Sequence, residues 1–312
     1  MKNPNYKYII ISPVKNEEKN LPNLIQSVAN QTVKPILWII VDDGSVDNTP
    51  NIIREAQKKY KWIKSIRLGE HPRDIGMHYA YVFNKGVEFA IEFCKMYGIH
   101  YDYIGILDAD MVIEPKFFEK LINEFEKNPK LGVACGGLYN KIGNTLVLEK
   151  IREDILIGSA KLWRRACFEE IKGLPISYSP DVVADVIAKL RGWETGMFRE
   201  IKAIQVRRIS SAEGLWKGYK IQGESAYFRN YHPLFVIAKG LRYLFKRPYY
   251  IGIAYLYGYF SSLIRGMEKI DNKEVRDYYY REKHKEAIRY YTFLLFRKKR
   301  DEKGQKSARK FK

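Results

Sequence analysis

The segment IGILDADMVI, residues 104–113, is an apolar run that reaches Asp108-Ala109-Asp110 and then becomes apolar again. Such a run is typical of a buried β-strand, with the two carboxylates at its carboxyl end. Residues i and i+2 of an extended backbone point to one side, so Asp108 and Asp110 share a face. Two buried like charges need a neutraliser, and a Mg²⁺-type cation uses one or two carboxylates together with substrate phosphates. The segment therefore predicts a metal-assisted reaction on a phosphorylated donor.

Short apolar strands and amphipathic helices alternate on both sides of this segment. We predict strands at 7–14, 36–41, 62–68, 103–107, 131–139 and within 197–208, and helices at 16–30, 50–60, 78–97, 114–128 and 181–191. This alternation is typical of βαβ units and of an α/β fold with a parallel sheet. Ligands of such sheets bind beyond the carboxyl ends of the strands. Polar clusters follow three strands, at Ser12-Pro13, Asp42-Asp43 and Asp108 to Asp110, and we expect them to converge on one crevice.

Three motifs carry a resemblance to a known family. They are SPVKNEE (12–18), VDDGS (41–45) and LDAD (107–110). Their order and spacing are similar to those of the hallmark elements of family 2 glycosyltransferases. The resemblance covers about residues 6–210. It implies a GT-A fold, Rossmann-like, with a mainly parallel sheet and flanking helices. It also implies transfer of a sugar from a UDP- or GDP-sugar donor, with inversion at the anomeric carbon.

The candidate nucleotide-binding residues follow the first two strands. A carboxylate at a strand end can accept hydrogen bonds from a base N–H or a ribose hydroxyl, which makes Asp42 and Asp43 candidates. By the resemblance, Asp43 contacts the nucleoside, and Pro13 and Glu17 line the same pocket. The resemblance also places Arg73 where related enzymes have a basic contact to the donor.

The candidate metal and catalytic residues come later in the chain. Asp110 is expected to bind Mn²⁺ or Mg²⁺, while Asp108 contacts the ribose, or the metal through water. An inverting displacement also needs a general base for the acceptor hydroxyl. The resemblance assigns this role to Asp181, eleven residues before Gly192, although Pro180 stands where the family usually has Glu. Asp185, one helical turn later, is the second candidate for the base.

The segment QVRRI (205–209) lacks the tryptophan of the Gln-x-x-Arg-Trp motif found in processive synthases of this family. We interpret it as a strand end whose arginines face the diphosphate. This favours the addition of one sugar over polymer synthesis.

The last third of the chain has a different character. Residues 206–312 contain 26 Lys/Arg against 10 Asp/Glu, which accounts for most of the net charge of +19. About twenty of the 44 aromatic residues lie after position 226, interleaved with these basic residues. We therefore divide the chain into a catalytic domain (1–210), a helical, basic, aromatic-rich region (211–300) and a disordered basic tail (301–312).

This composition fits a membrane interface, and the resemblance favours a lipid-linked or glycan acceptor. Residues 248–264 form a 17-residue run without charge, which is at the lower limit for crossing a bilayer of about 30 Å. We predict helices that lie on an anionic membrane surface as a membrane-interface module. The alternative is that this run is a helix buried against the catalytic domain.

The start of the chain contains no segment that resembles a signal peptide, so we expect a cytoplasmic protein, peripheral on the inner face of the cell membrane. The three cysteines have no C-x-x-C spacing, which favours buried thiols over a disulfide framework. Two other classes stay open. A nucleotidyltransferase shares a similar sheet but typically has a Gly-rich basic loop after the first strand. A nucleic-acid-binding protein would rest on charge alone, and we expect no nucleic acid partner.

Overall fold

The computed structural model describes residues 6–69, 77–142, 145–149, 151, 155–206, 214–286 and 288–289. The chain divides into two compact units, Met1–Ile209 and Ser210–Lys312. The first unit contains a large sheet with helices, and the described part of the second unit is helical.

One sheet forms the centre of the first unit, and its strands are numbered in chain order. They are β1 (Tyr8–Val14), β2 (Leu37–Asp42), β3 (Ile63–Arg67), β4 (Tyr103–Leu107), β5 (Met111–Ile113), β6 (Leu131–Ile142), β7 (Thr145–Leu148), β8 (Ala160–Arg164) and β9 (Glu194–Gln205). The order across the sheet is β3-β2-β1-β4-β8-β6-β9-β5, with β7 paired to β6. The apolar residues of β1, β2 and β4 are almost completely buried, because continuous runs of Ile, Leu and Val bury well in central strands.

Six helices connect or flank these strands in the described ranges. They are α1 (Leu21–Ala29), α2 (Thr49–Lys59), α3 (His78–Met96), α4 (Phe117–Lys127), α5 (Arg165–Ile171) and α6 (Pro180–Leu190). The predicted alternation of strands and helices is therefore confirmed, and the fold is α/β.

The sheet is mixed, and the prediction of a mainly parallel sheet is wrong in this respect. β1 runs parallel to β2 and β4, and β3 runs parallel to β2. β8 is antiparallel to both β4 and β6, and β5 is antiparallel to β9. Parallel neighbours need long crossovers, which α1, α2 and α3 supply for the first four strands. After β4 this regular alternation ends, and antiparallel pairs become possible.

α3 packs closely on β1 and β2 at Gly86. A Cβ at this position would lie 2.6 Å from side-chain atoms of both Ile11 and Val41, so only glycine allows the approach. The close packing brings the first residues of α3, His78 and Tyr79, to the carboxyl ends of the neighbouring strands.

The second unit contains α7 (Leu215–Phe228), α8 (Pro233–Leu244), α9 (Tyr250–Ile264), α10 (Lys273–Asp277) and a π-helical turn at Tyr278–Glu282. α7 and α9 cross in backbone contact: a Cβ at Gly223 would overlap the carbonyl of Tyr255. The uncharged run 248–264 is helical from Tyr250 onward, as expected. Its helix α9 buries one face and exposes the other. None of the helices in the described ranges is long and apolar enough to cross a lipid bilayer.

Candidate active site

Asp42 organises the turn that follows β2. Its Oδ1 accepts a hydrogen bond of 2.9 Å from the backbone N–H of Ser45, and its Oδ2 lies 3.3 Å from the Arg67 guanidinium. Gly44 takes a φ of 67°, a left-handed conformation that glycine adopts without strain. Asp42 therefore fixes the turn that presents the next residue, Asp43.

Asp43 lies between two basic side chains. Its Oδ1 is 3.0 Å from Nε2 of His78, and its Oδ2 is 3.7 Å from Nζ of Lys15. The Lys15 ammonium also donates to the Asp43 carbonyl at 2.6 Å. The carboxylate is thus held at the carboxyl end of β2, beside the start of α3.

The end of β1 is joined to the same edge of the sheet. The Ser12 hydroxyl donates to the carbonyl of Leu107 on β4 at 2.5 Å, and Pro13 is paired with Val41 on β2. Glu17 is buried, and its Oε2 accepts a hydrogen bond of 2.7 Å from the Asn20 side chain. The predicted residues Pro13 and Glu17 therefore lie beside the ends of β2 and β4.

Asp108 is the centre of a cluster of carboxylates. Its Oδ1 accepts a 2.6 Å hydrogen bond from the hydroxyl of Tyr79. Burial and the negative charge of Asp110, with smaller contributions from Asp181 and Glu17, raise the pKa of Asp108 to about 7. Three other carboxyl groups predicted from the sequence thus act electrostatically on Asp108.

Asp110 is buried at the start of β5, and its carbonyl accepts a hydrogen bond of 2.9 Å from the N–H of Val206. The neighbouring Met111 is paired with Gln205 at the end of β9. The side-chain oxygen of Gln205 is buried and has no hydrogen-bond partner in the described part of the chain. The carboxylates of Asp108 and Asp110 provide oxygen ligands, which is the chemistry that a hard divalent cation requires.

Asp181 lies in the first turn of α6, opposite the loop that precedes β8. The carbonyl of Ser159 in this loop accepts a 2.8 Å hydrogen bond from the N–H of Asp108. A Cβ at the adjacent Gly158 would overlap the Asp181 carboxylate. The loop therefore connects Asp108 to Asp181, and Gly158 leaves the room that the second carboxylate occupies.

Asp185 has a different environment from Asp181. Its two carboxylate oxygens accept hydrogen bonds of 2.8 and 2.7 Å from the ammonium of Lys161, a side chain of β8 with no exposed surface. Burial alone would lower the pKa of Lys161, but the charges of Asp185 and Asp181 raise it above its ordinary value. The pair is a buried ion pair, and both oxygens of Asp185 are occupied.

The structure thus places Pro13, Glu17, Asp42, Asp43, Asp108, Asp110 and Asp181 along one edge of the sheet, with Asp185 one turn further into α6. Arg73, Arg207 and Arg208 lie outside the described residues.

Four residues that contact these carboxylates are not among those predicted from the sequence: Lys15, His78, Tyr79 and Lys161. A signal existed for Lys161, which is a single charge inside the apolar strand AKLW, residues 160–163. A lysine in such a strand needs a buried acid.

Comparisons with known proteins concern the family and the fold. The chain is 28% identical over 193 residues to the poly-beta-1,6-N-acetyl-D-glucosamine synthase of Staphylococcus epidermidis, covering 61% of this chain and 42% of that protein. Its fold is similar to the mannosyltransferase PcManGT from Pyrobaculum calidifontis in complex with GDP-Man and Mn²⁺ (TM-score 0.54, 14% identity, 82% of this chain and 71% of that one). It is also similar to S. aureus TarS in complex with UDP-GlcNAc, with a TM-score of 0.53 and 16% identity. This match covers 82% of this chain and 73% of the TarS chain.

The two similar structures confirm the expected α/β fold. The family model described as glycosyl transferase family 2 matches residues 9–175, which is more than half of the chain and includes all three motifs. The chain therefore belongs to glycosyl transferase family 2.

Proposed function

We propose that this protein transfers one sugar from a nucleotide-diphosphate donor to a hydroxyl of a lipid-linked or glycan acceptor, with inversion. The observation that carries the proposal is the row of carboxylates along one sheet edge, from Asp43 through Asp108 and Asp110 to Asp181. Such a row offers, in order, a nucleoside contact, a cation site for the diphosphate and a base for the acceptor.

The nucleoside end of the row consists of Asp43 and its neighbours. An Asp43 carboxylate held by His78 and Lys15 is oriented to accept hydrogen bonds from a base or ribose. Of the two similar structures, one holds GDP-Man and the other UDP-GlcNAc, so both classes of donor are compatible with the fold.

The middle of the row fits Mn²⁺ or Mg²⁺. Asp108 and Asp110 would hold the ion, and donor phosphates and water would complete the coordination. No set of three or more His, Cys, Asp or Glu side chains within the described ranges is arranged to hold a metal without such help. A bound divalent cation would neutralise the diphosphate as the nucleotide leaves.

The acceptor end of the row is Asp181. We assign it as the general base that removes the proton from the attacking hydroxyl. Asp185 is bound through both oxygens to Lys161, so we assign this pair to positioning the first turn of α6. Lys161 also lies 3.5 Å from the carbonyl of Asp181, which supports that arrangement.

The acceptor's membrane location is supported by exposed apolar residues in the second unit. Four exposed apolar residues follow one another at helical spacing along α8 and at its end: Leu234, Ile237, Leu241 and Phe245. On α9, Ile253, Tyr257 and Ile264 are exposed as well. Exposed basic residues adjoin them at Lys246 and Arg247. This combination favours a peripheral protein on the inner, anionic face of the cell membrane.

The number of sugars added per acceptor is also part of the proposal. The synthase from Staphylococcus epidermidis is named for a polymer, whereas this chain lacks the tryptophan of the processive motif and spans 42% of that protein. We propose single addition, and mass spectrometry of the product with excess donor would show one added residue.

A donor screen tests the proposal as a whole. UDP- and GDP-sugars with Mn²⁺ are added to the protein, and the thermal midpoint is measured. A cognate donor raises the midpoint by mass action, and this shift should require metal and disappear in Asp110→Asn. Asp102→Asn, which changes a carboxylate away from this row, should retain it. No shift with any donor, or a full shift in Asp110→Asn, would contradict the proposal.

A further inference from the structure

The second unit contains a group of basic and tyrosine side chains that sugar transfer does not use. Its centre is Lys239 on α8. The Lys239 ammonium lies 5.0 Å from the ring centre of Tyr255 and 5.7 Å from that of Tyr243. Ring faces attract an ammonium, but they leave its N–H groups without an oxygen acceptor.

Positive charge accumulates around this lysine. The guanidinium of Arg229, at the end of α7, lies 5.2 Å from the ring centres of both Tyr231 and Tyr279. Burial, together with the charges of Arg229, Arg242 and Lys283, lowers the pKa of Lys239 to about 8. The group thus gathers cations from α7, α8 and the segment that follows the π-helical turn.

Carboxylates are scarce in this group. Glu286 lies 3.2 Å from Lys283, but no carboxylate in the described ranges pairs with Lys239 or Arg229. The hydroxyl of Tyr255 is also buried and has no hydrogen-bond partner among the described residues. Arg229 donates from Nε to the carbonyl of Ser225 at 3.2 Å, but this acceptor carries no charge. Positive charge is therefore in excess, and an acceptor with negative charge is missing.

We propose that Lys239, Arg229 and Tyr255 form a binding site for a phosphate group. Phosphate oxygens accept hydrogen bonds from ammonium, guanidinium and phenol groups together, and a doubly charged anion offsets several nearby cations. The site lies wholly within the second unit, and it stands independently of the reaction proposed for the first unit. The phosphate belongs either to a soluble phosphorylated compound or to a lipid headgroup.

Binding measurements on the full chain test this site. Inorganic phosphate and pyrophosphate are titrated by calorimetry, and vesicles of phosphatidylcholine with and without phosphatidylglycerol are tested by co-sedimentation. Lys239→Met should weaken binding by about tenfold or more, because it removes a charge-assisted hydrogen bond. Tyr255→Phe should weaken it less, and Lys273→Met, an exposed lysine of the same unit, should leave it unchanged.

Binding of the free anions identifies a soluble phosphate as the source, and binding of the anionic vesicles alone identifies a headgroup. Either result upholds the site when Lys239→Met or Tyr255→Phe reduces this binding and Lys273→Met does not. If Lys239→Met does not fold by circular dichroism, Tyr255→Phe decides the question. The proposal would be overturned if the wild type bound none of the probes. It would also be overturned if the folded site variants bound as well as the wild type and Lys273→Met.

Discussion

Lys161 carries a full charge inside the central sheet. The stability of the sheet therefore depends on Asp185, which pairs with this charge. The ammonium has no exposed surface and is bound at 2.7 Å to a single carboxylate group. Removal of one partner from such a pair is costly because the other charge stays buried, whereas replacement of both by apolar residues is often neutral.

We therefore expect Lys161→Met to destabilise the first unit by about 3–5 kcal/mol. The double variant Lys161→Met/Asp185→Leu should recover most of this loss. Chemical denaturation followed by tryptophan fluorescence measures both. If the double variant is as unstable as the single one, the pair does not account for the energetics of this region.

Asp108 makes the stability of the metal-free protein depend on pH. Burial, together with Asp110, raises the pKa of its carboxyl from 3.8 to about 7. Between these values the folded protein keeps a proton that the unfolded chain has lost, so stability falls as pH rises through this window. The loss is complete above pH 7.

In EDTA, the thermal midpoint should therefore decrease between pH 5 and pH 8, and Asp108→Asn should reduce this decrease. The variant keeps a side-chain oxygen for the hydrogen bond from Tyr79. We expect the stability difference between the two pH values to shrink by on the order of 1–3 kcal/mol. An unchanged pH dependence in Asp108→Asn would show that the carboxyl is not protonated in the folded state.

At the scale of elements, the crossing of α7 and α9 rests on Gly223. A methyl group there would overlap the backbone carbonyl of Tyr255, which cannot move without displacing a helix. Gly223→Ala should destabilise the second unit by about 1–3 kcal/mol through overpacking. Limited proteolysis with mass spectrometry would show earlier cleavage in α7 to α9. Gly69→Ala, where no atom lies within 4 Å of the added Cβ, serves as the control and should be cleaved like the wild type.

The strands and helices up to Leu107 could be predicted because apolar strands of Ile, Leu and Val alternate with amphipathic helices. β8 was not recognised because Lys161 interrupts its apolar pattern, and the mixed sheet depends on strand pairing, which local sequence does not encode. The acids of the site up to Asp110 were predicted from three motifs, and Asp181 from its position eleven residues before Gly192. Their partners His78, Tyr79 and Lys161 were not, because these contacts join residues far apart in the chain.

At the scale of the whole molecule, charge and exposed apolar surface are concentrated in the second unit. Phe245 and Ile264 are 86% and 85% exposed, which is unusual for large apolar side chains unless they meet another surface. The proposed membrane contact therefore predicts that Phe245→Ser/Ile264→Ser lowers co-sedimentation with phosphatidylglycerol vesicles severalfold.

The matched control for this experiment is Met96→Ser, which changes a residue that is 76% exposed in the first unit. It should sediment like the wild type, and added salt should weaken binding of all three proteins. Equal sedimentation of the double variant and the wild type would refute the membrane contact through α8 and α9.

In the reaction that we propose, one row of carboxylates performs sugar transfer, with Asp181 as the general base. The most direct test is the initial rate of transfer by Asp181→Asn and by wild type at saturating donor and Mn²⁺, with the donor Kd measured in parallel. We predict a fall in kcat of about 10²–10⁴-fold, the usual contribution of a general base, with the donor Kd nearly unchanged. Wild-type turnover in Asp181→Asn would show that another group removes the proton.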